Sequence, residues 1–230
     1  IMTKSALVIV DAERCFFPAE EGRRLGLEGF GELGVPHGEQ VVAPINFLTI
    51  IATAGELIVA HTLDKHPEET AHFSDTPNYI DTWPPHGRDG TPGSLLHPEL
   101  IIATHPELSR EFIKGDQVVT SPADDDSYTG ALAHDRVTGE ILPDFLKSKD
   151  VSHIYVAGLA IGDADEHKLC VDSTAVDHKN LGFEVTVITD AVEAVLPENR
   201  GICFRNLGAM EIRLLTSLEA YEEIKGGLNA

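Results

Sequence analysis

Asp64 and His66 stand two residues apart, His72 follows six later, and His86 closes the run Trp83-Pro84-Pro85-His86. One carboxylate and three imidazoles form an oxygen and nitrogen donor set that suits Zn2+, Fe2+ or Mn2+, whereas Ca2+ calls for more oxygen. An extended backbone sends alternate side chains to the same side, so Asp64 and His66 can converge on one point. Six of the eleven histidines fall between His61 and His105. His61, His97 and His105 lack a comparable argument and are read as packing or surface residues.

A second group suits nucleophilic chemistry. Asp11 follows the apolar run Ala6 to Val10, Lys114 follows Glu111 to Ile113, and Cys170 opens a helix-period segment. A thiol at a helix amino terminus meets unpaired N–H groups and the positive end of the dipole, and a neighbouring ammonium adds to this, so a lowered Cys170 pKa is expected. Asp11 could take the thiol proton while Lys114 balances charge. The turn Gly158-Leu159-Ala160 offers backbone N–H groups for a developing oxyanion. Cys15 and Cys203 are read as small buried hydrophobes.

These residues need a scaffold that brings strand ends together. Short β-branched runs alternate with helix-period segments, which predicts βαβ units around a parallel sheet. The expected strands are Ala6 to Val10, Leu57 to His61, Glu111 to Lys114, His153 to Ala157, Val185 to Thr189 and Glu211 to Leu215. Helices are expected over Glu39 to Thr53, Ile141 to Lys149, Cys170 to Asn180, within Pro197 to Leu207, and over Leu218 to Lys225. The expected fold class is α/β: one domain over 1–230 with an open, mostly parallel six-stranded sheet and helices on both faces. Asp11 would then sit mid-sheet, at the carboxyl edge where such sheets bind ligands. The stretch 62–110, rich in Pro, Gly and His, is too long for a mere connection and reads as the metal-binding loop region. The acidic run Asp124 to Asp126 reads as a solvated loop.

Composition narrows the partners. Seventeen Lys+Arg against thirty-eight Asp+Glu give a formal charge of −21, which disfavours nucleic acid and anionic membranes and suits a neutral or cationic small molecule. Three scattered cysteines argue for a reducing compartment, and no apolar run approaches membrane-helix length, so a cytoplasmic protein is expected. A homo-oligomer stays open. Ile1 before Met2 reads as a cloning remnant.

The blocks Ala6-Leu7-Val8-Ile9-Val10-Asp11, Asp64-x-His66, His72-Phe73-Ser74, Trp83-Pro84-Pro85-His86, Gly90-Thr91-Pro92-Gly93, Lys114-Gly115, Ser127-Tyr128-x-Gly130 and Cys170-Val171-x-x-Thr174-Ala175 occur in this order. Together they resemble the nicotinamidase branch of the isochorismatase-like cysteine hydrolases, over nearly the whole chain. The resemblance implies hydrolysis of nicotinamide to nicotinate and ammonia, a step of NAD salvage, through a Cys170 thioester. It implies a catalytic triad of Asp11, Lys114 and Cys170, and one divalent metal, Zn2+ before Fe2+ or Mn2+, on Asp64, His66, His72 and His86. It further implies that Phe16 and Trp83 flank the pyridine ring, that Ala160 and Cys170 supply the oxyanion N–H groups, and that the Leu159–Ala160 bond is cis. The alternatives are a hydrolase of another small amide, a metal-hydroxide mechanism, or a catalytically silent metabolite-binding relative.

Four departures from the family pattern stand out. The turn from Ala160 to Cys170 is longer than usual and is expected to bulge outward, leaving Cys170 in place. Glu13 stands where Gln is frequent, and Gly22 to Gly38 is an extended connection; both could reshape the mouth. Gly87 replaces a common Cys beside the last histidine, with little consequence expected.

Overall fold

The computed structural model describes residues 4–105 and 107–228, so Ile1 lies outside the described residues. Six strands, β1 (Lys4–Val10), β2 (Ile58–Asp64), β3 (Ser109–Lys114), β4 (Val151–Ile161), β5 (Glu184–Ala194) and β6 (Arg213–Leu215), form one sheet in the order β3-β2-β1-β4-β5-β6. Every neighbouring pair is parallel. The helices are α1 (Ala19–Leu25), α2 (Val42–Ala54), α3 (Leu142–Ser148), α4 (Cys170–Asn180), α5 (Arg200–Ala209) and α6 (Ser217–Leu228).

Both faces of the sheet are covered, which explains why the strands read as continuous apolar runs. In β1 the two-residue period divides them: Ala6, Val8 and Val10 join a core with Leu142, Phe145, Val171, Ala175, Cys203 and Leu207 of α3, α4 and α5. Leu7 and Ile9 join the opposite core, with Val42, Ile45 and Leu48 of α2 and Ala220 and Ile224 of α6.

The chain runs outward from β1 through β2 to β3, then returns to place β4 on the other side of β1. The carboxyl ends of β1 and β4 therefore flank the switch point at which open α/β sheets form their crevice. Gly158 makes the close approach feasible, because a Cβ there would lie 1.9 Å from the Val10 carbonyl oxygen and its φ is +122°.

Several boundaries differ from expectation. β2 runs on to Asp64, so Asp64 is a strand residue in register with Lys114. β4 and β5 extend to Ile161 and Ala194, through register shifts after Val156 and Leu159 where the simple alternation is lost. β6 is shorter, and a 3-10 turn at Gly38–Val41 precedes α2. The sequence reading missed α1, which is short and has no apolar stripe. Its signal lies in charge: Glu20 and Glu21 occupy its first turn, Arg23 and Arg24 its last, with Gly26 as a left-handed cap.

Candidate active site

Three strand ends meet at the carboxyl edge. Asp11 follows β1 with φ 47°, its Oδ1 accepting a hydrogen bond from Thr62 Oγ1 at 2.8 Å. Lys114 ends β3 and reaches across β2, placing Nζ 2.7 Å from Asp11 Oδ2 and 3.4 Å from Asp64 Oδ1. Cys170 opens α4, with Sγ 3.6 Å from the same ammonium. Carboxylate oxygens of Asp11 and Asp64 and the Cys170 sulfur lie within 4.8 Å of one another.

Burial and charge act against each other here. Burial disfavours the Lys114 ammonium, but Asp11, Asp64 and Cys170 outweigh it and hold the lysine well above its ordinary value. Burial raises the Asp11 carboxyl, with Lys114 opposing and Asp64 adding to the rise. Asp64 is held well below the carboxylate range: His66 and Lys114 overcome the burial penalty. Cys170 departs from expectation. Burial and the Asp11 carboxylate push the thiol well up, with Lys114 opposing.

Beside this group, His66, His72 and His86 bring one ring nitrogen each within 4.8 Å of the others, all three buried. His66 Nδ1 faces the Gly115 carbonyl at 3.2 Å and His86 Nδ1 the Pro84 carbonyl at 2.7 Å. Their Nε2 atoms therefore point at Asp64 Oδ2, at 3.1 and 3.8 Å. His72 Nδ1 pairs with Asp125, and its buried Nε2 has no hydrogen-bond partner. Three imidazoles anchored through their far nitrogens, beside a carboxylate held in its ionised form, fit a divalent cation of the Zn, Fe or Mn class. Asp11 and Asp64 against Lys114 also leave a buried negative charge that such a cation would neutralise.

The two groups meet at one cavity, lined by Phe16, Trp83, Asp64, His72, His86, Ala160 and Cys170 among others. Phe16 meets His86 edge-on at 5.5 Å between ring centroids. Trp83 Nε1 donates to Tyr128 Oη at 2.6 Å. The Leu159–Ala160 peptide is cis. Of the residues proposed from sequence, Phe16, Asp64, His72, Trp83, His86, Ala160 and Cys170 line this cavity, whereas Asp11, Lys114 and His66 stand behind its wall, Lys114 and His66 in contact with Asp64 and Asp11 with Lys114.

The structure adds residues that the sequence reading left aside. Asp125 is not a solvated loop residue: its side chain is 6% exposed and packs on His72, so the middle of the acidic run turns inward. Glu13 is fully buried, accepts the Asp64 backbone N–H, and is pushed well up by burial and by Asp11 and Asp64. Leu33, Val35, Leu169 and Val195 supply apolar wall; Leu33 and Val35 come from the long Gly22–Gly38 connection. Gly87 donates its N–H to Glu32 at 2.9 Å. His61 is buried in β2, His97 pairs with Glu21 at 3.2 Å, and His105 caps a turn through Glu107 N–H, so all three stay outside the cage. No helix among the described residues is long and apolar enough to cross a membrane.

Known proteins share this arrangement of elements. The chain is 28% identical to the nicotinamidase of Escherichia coli, across 98% of this chain and 100% of that one. It is 27% identical to the nicotinamidase/pyrazinamidase of Mycobacterium tuberculosis, across 92% and 98%. The pyrazinamidase of Pyrococcus horikoshii, solved in complex with zinc, superposes with a TM-score of 0.70 at 25% identity, across 93% and 99%. Residues 5–218 match the isochorismatase domain, and the chain belongs to that family.

Proposed function

We propose that the protein is a nicotinamidase of NAD salvage, converting nicotinamide to nicotinate and ammonia through a thioester on Cys170. The observation that carries this reading is the shared crevice: the Cys170 thiol, the Asp64 carboxylate and the His72 and His86 imidazoles line one largely apolar cavity, with the Asp11–Lys114 pair and His66 directly behind them. The full-length likeness to nicotinamidases supports it.

In this reading Asp11 accepts the thiol proton as Cys170 Sγ bonds to the carboxamide carbon, and the carbonyl oxygen gains the negative charge. The Ala160 and Cys170 N–H groups stabilise that oxyanion, an effect worth about 3 to 4 kcal/mol per donor. The proton passes from Asp11 to the nitrogen as the carbon–nitrogen bond breaks, and ammonia leaves. Asp11 then deprotonates a water that adds to the thioester carbon, and the departing sulfur recovers the proton. A raised thiol pKa suits this order, because the proton leaves sulfur as the new bond forms. Lys114 keeps the Asp11 and Asp64 carboxylates compatible within one buried site. Asp64, His66, His72 and His86 would hold a divalent metal, which when bound supplies a Lewis acid to grip the pyridine nitrogen and orient the ring between Phe16 and Trp83.

Purified protein given nicotinamide in a coupled ammonia assay, with metal analysis of the same sample, tests the reading. Turnover that Cys170→Ala abolishes while metal content is retained is the expected result. Turnover surviving in that variant rejects the covalent route. A preference for benzamide over nicotinamide rejects the role of the ring nitrogen and favours hydrolysis of another small amide.

A further inference from the structure

Between Ala160 and Cys170 the chain leaves the sheet edge and comes back. Residues 165–167 are exposed at the tip of this bulge, and its neck is tight: the Asp163 N–H donates to the His167 carbonyl at 3.0 Å. A Cβ on Gly162 would lie 1.9 Å from that same carbonyl oxygen. Asp163 organises the tip, its Oδ1 accepting the N–H groups of Asp165 and His167.

One carboxyl group closes the neck from below. Asp172 Oδ1 accepts the Gly162 N–H at 3.0 Å and the Leu169 N–H at 2.9 Å, and Oδ2 accepts the Ala164 N–H at 2.8 Å. Gly162 lies two residues beyond Ala160, and Leu169 immediately precedes Cys170. A single side chain in the first turn of α4 therefore ties down both flanks of the position at which an oxyanion would sit. The side chain is 0% exposed, and a buried carboxylate is retained only where its hydrogen bonds hold something in place.

We infer that Asp172 is a positioning residue, which by clamping Gly162, Ala164 and Leu169 keeps the Ala160 and Cys170 N–H groups at oxyanion spacing in spite of the lengthened turn. The inference rests on the acyl-transfer chemistry proposed above. The three clamp bonds run to an ionised carboxyl, and protonation weakens them together, because an N–H bonds a charged oxygen more strongly than a neutral one. Burial raises this carboxyl to about 6, its backbone donors opposing, which places the release of the clamp within a testable range. The titratable group facing it is Cys203 on α5, whose thiol is pushed far up by burial and by the Asp172 and Asp163 carboxylates.

Asp172→Asn keeps the size and loses one acceptor. Against the parent, kcat for nicotinamide is expected to fall about tenfold to a hundredfold, with KM within about twofold. The exposed-tip substitution Glu166→Ala should leave both unchanged. Amide spectra of the isotope-labelled parent need no variant: the Gly162, Ala164 and Leu169 signals should titrate together near pH 6, and those of Ala160 and Cys170 should follow with the same midpoint. An active parent beside an unimpaired D172N, or Ala160 and Cys170 signals that ignore the titration, overturns the positioning role alone. An inactive parent overturns the reading of the whole site and this role with it. Should D172N fail to fold, the parent titration decides.

Discussion

Asp64 and Lys114 are register partners at the ends of neighbouring parallel strands, and their side chains meet at 3.4 Å. Lys114 also pairs with Asp11 at 2.7 Å, while Asp64 turns its other oxygen to His66. The thiol group and the imidazole cage are therefore one electrostatic unit joined through a single ammonium.

Removing that ammonium should be felt in both halves. Lys114→Met leaves Asp11 and Asp64 buried, close together and without their shared counter-ion, and breaking a buried pair in this way costs about 3–5 kcal/mol. Urea unfolding of the metal-free variant should show a loss of that size, with turnover abolished. Added divalent metal should recover part of the stability by supplying positive charge. A variant as stable as the parent would show that one of the carboxyls is neutral in the folded protein.

Cys170 should behave as a protected thiol in the absence of metal. Burial and the Asp11 carboxylate push its pKa up, so alkylation by iodoacetamide should be slow at pH 6 and should accelerate as pH rises toward 9. Cys15 and Cys203 are buried and also shifted upward, and only Cys170 borders the cavity, so it should label first among the three. Mass spectrometry of a pH series reads this directly. Fast labelling of Cys170 at pH 6 would mean that Lys114 and the helix terminus prevail over burial.

The parallel sheet and the residues gathered at its edge were legible because each left a local pattern: apolar runs ending in Asp11 and Lys114, a thiol opening α4, histidines clustered in one long loop; the strand order that makes the switch point was not. What stayed hidden was set by packing between distant segments. Asp125 reads as one of three solvated acids until His72 is brought against it. Leu33 and Val35 become cavity walls only after the long connection folds back, and α1 is written in charges rather than in an apolar stripe. At Cys170 sequence reveals the favourable neighbours, Lys114 and the helix terminus, and conceals the burial and the Asp11 carboxylate that oppose them. Nothing in the sequence singles out Asp172, since its three N–H partners lie on a bulge whose path no spacing rule specifies.

Asp125 gives the next test. Its carboxylate holds His72 by one ring nitrogen, leaving Nε2 for the cage, and losing such an outer partner costs about 10–100-fold in metal affinity. Asp125→Ala should show that weakening in a zinc-chelator competition, with activity restored by excess metal. Unchanged affinity would mean that packing against Phe73 and Tyr128 alone fixes the His72 ring.

Acid should weaken the fold through a histidine that takes no part in the chemistry. His61 lies in β2 with both ring nitrogens buried and unpartnered, and burial lowers its pKa from 6.5 to about 4. Below pH 6.5 the unfolded chain binds a proton that the folded one refuses until near pH 4. The stability held above 6.5 is therefore lost as pH falls through that window, by about 3 kcal/mol at about 1.4 kcal/mol per unit. His178 acts in the same direction, with its pKa lowered to about 4. Asp172 acts oppositely, since its raised pKa lets the folded state bind a proton first as pH falls from 6. Comparing His61→Leu with the parent cancels both of those contributions. Urea midpoints measured at pH 8 and pH 4.5 should diverge, with the variant losing less on acidification; equal losses would show that the His61 imidazole finds a way to carry its charge inside the fold.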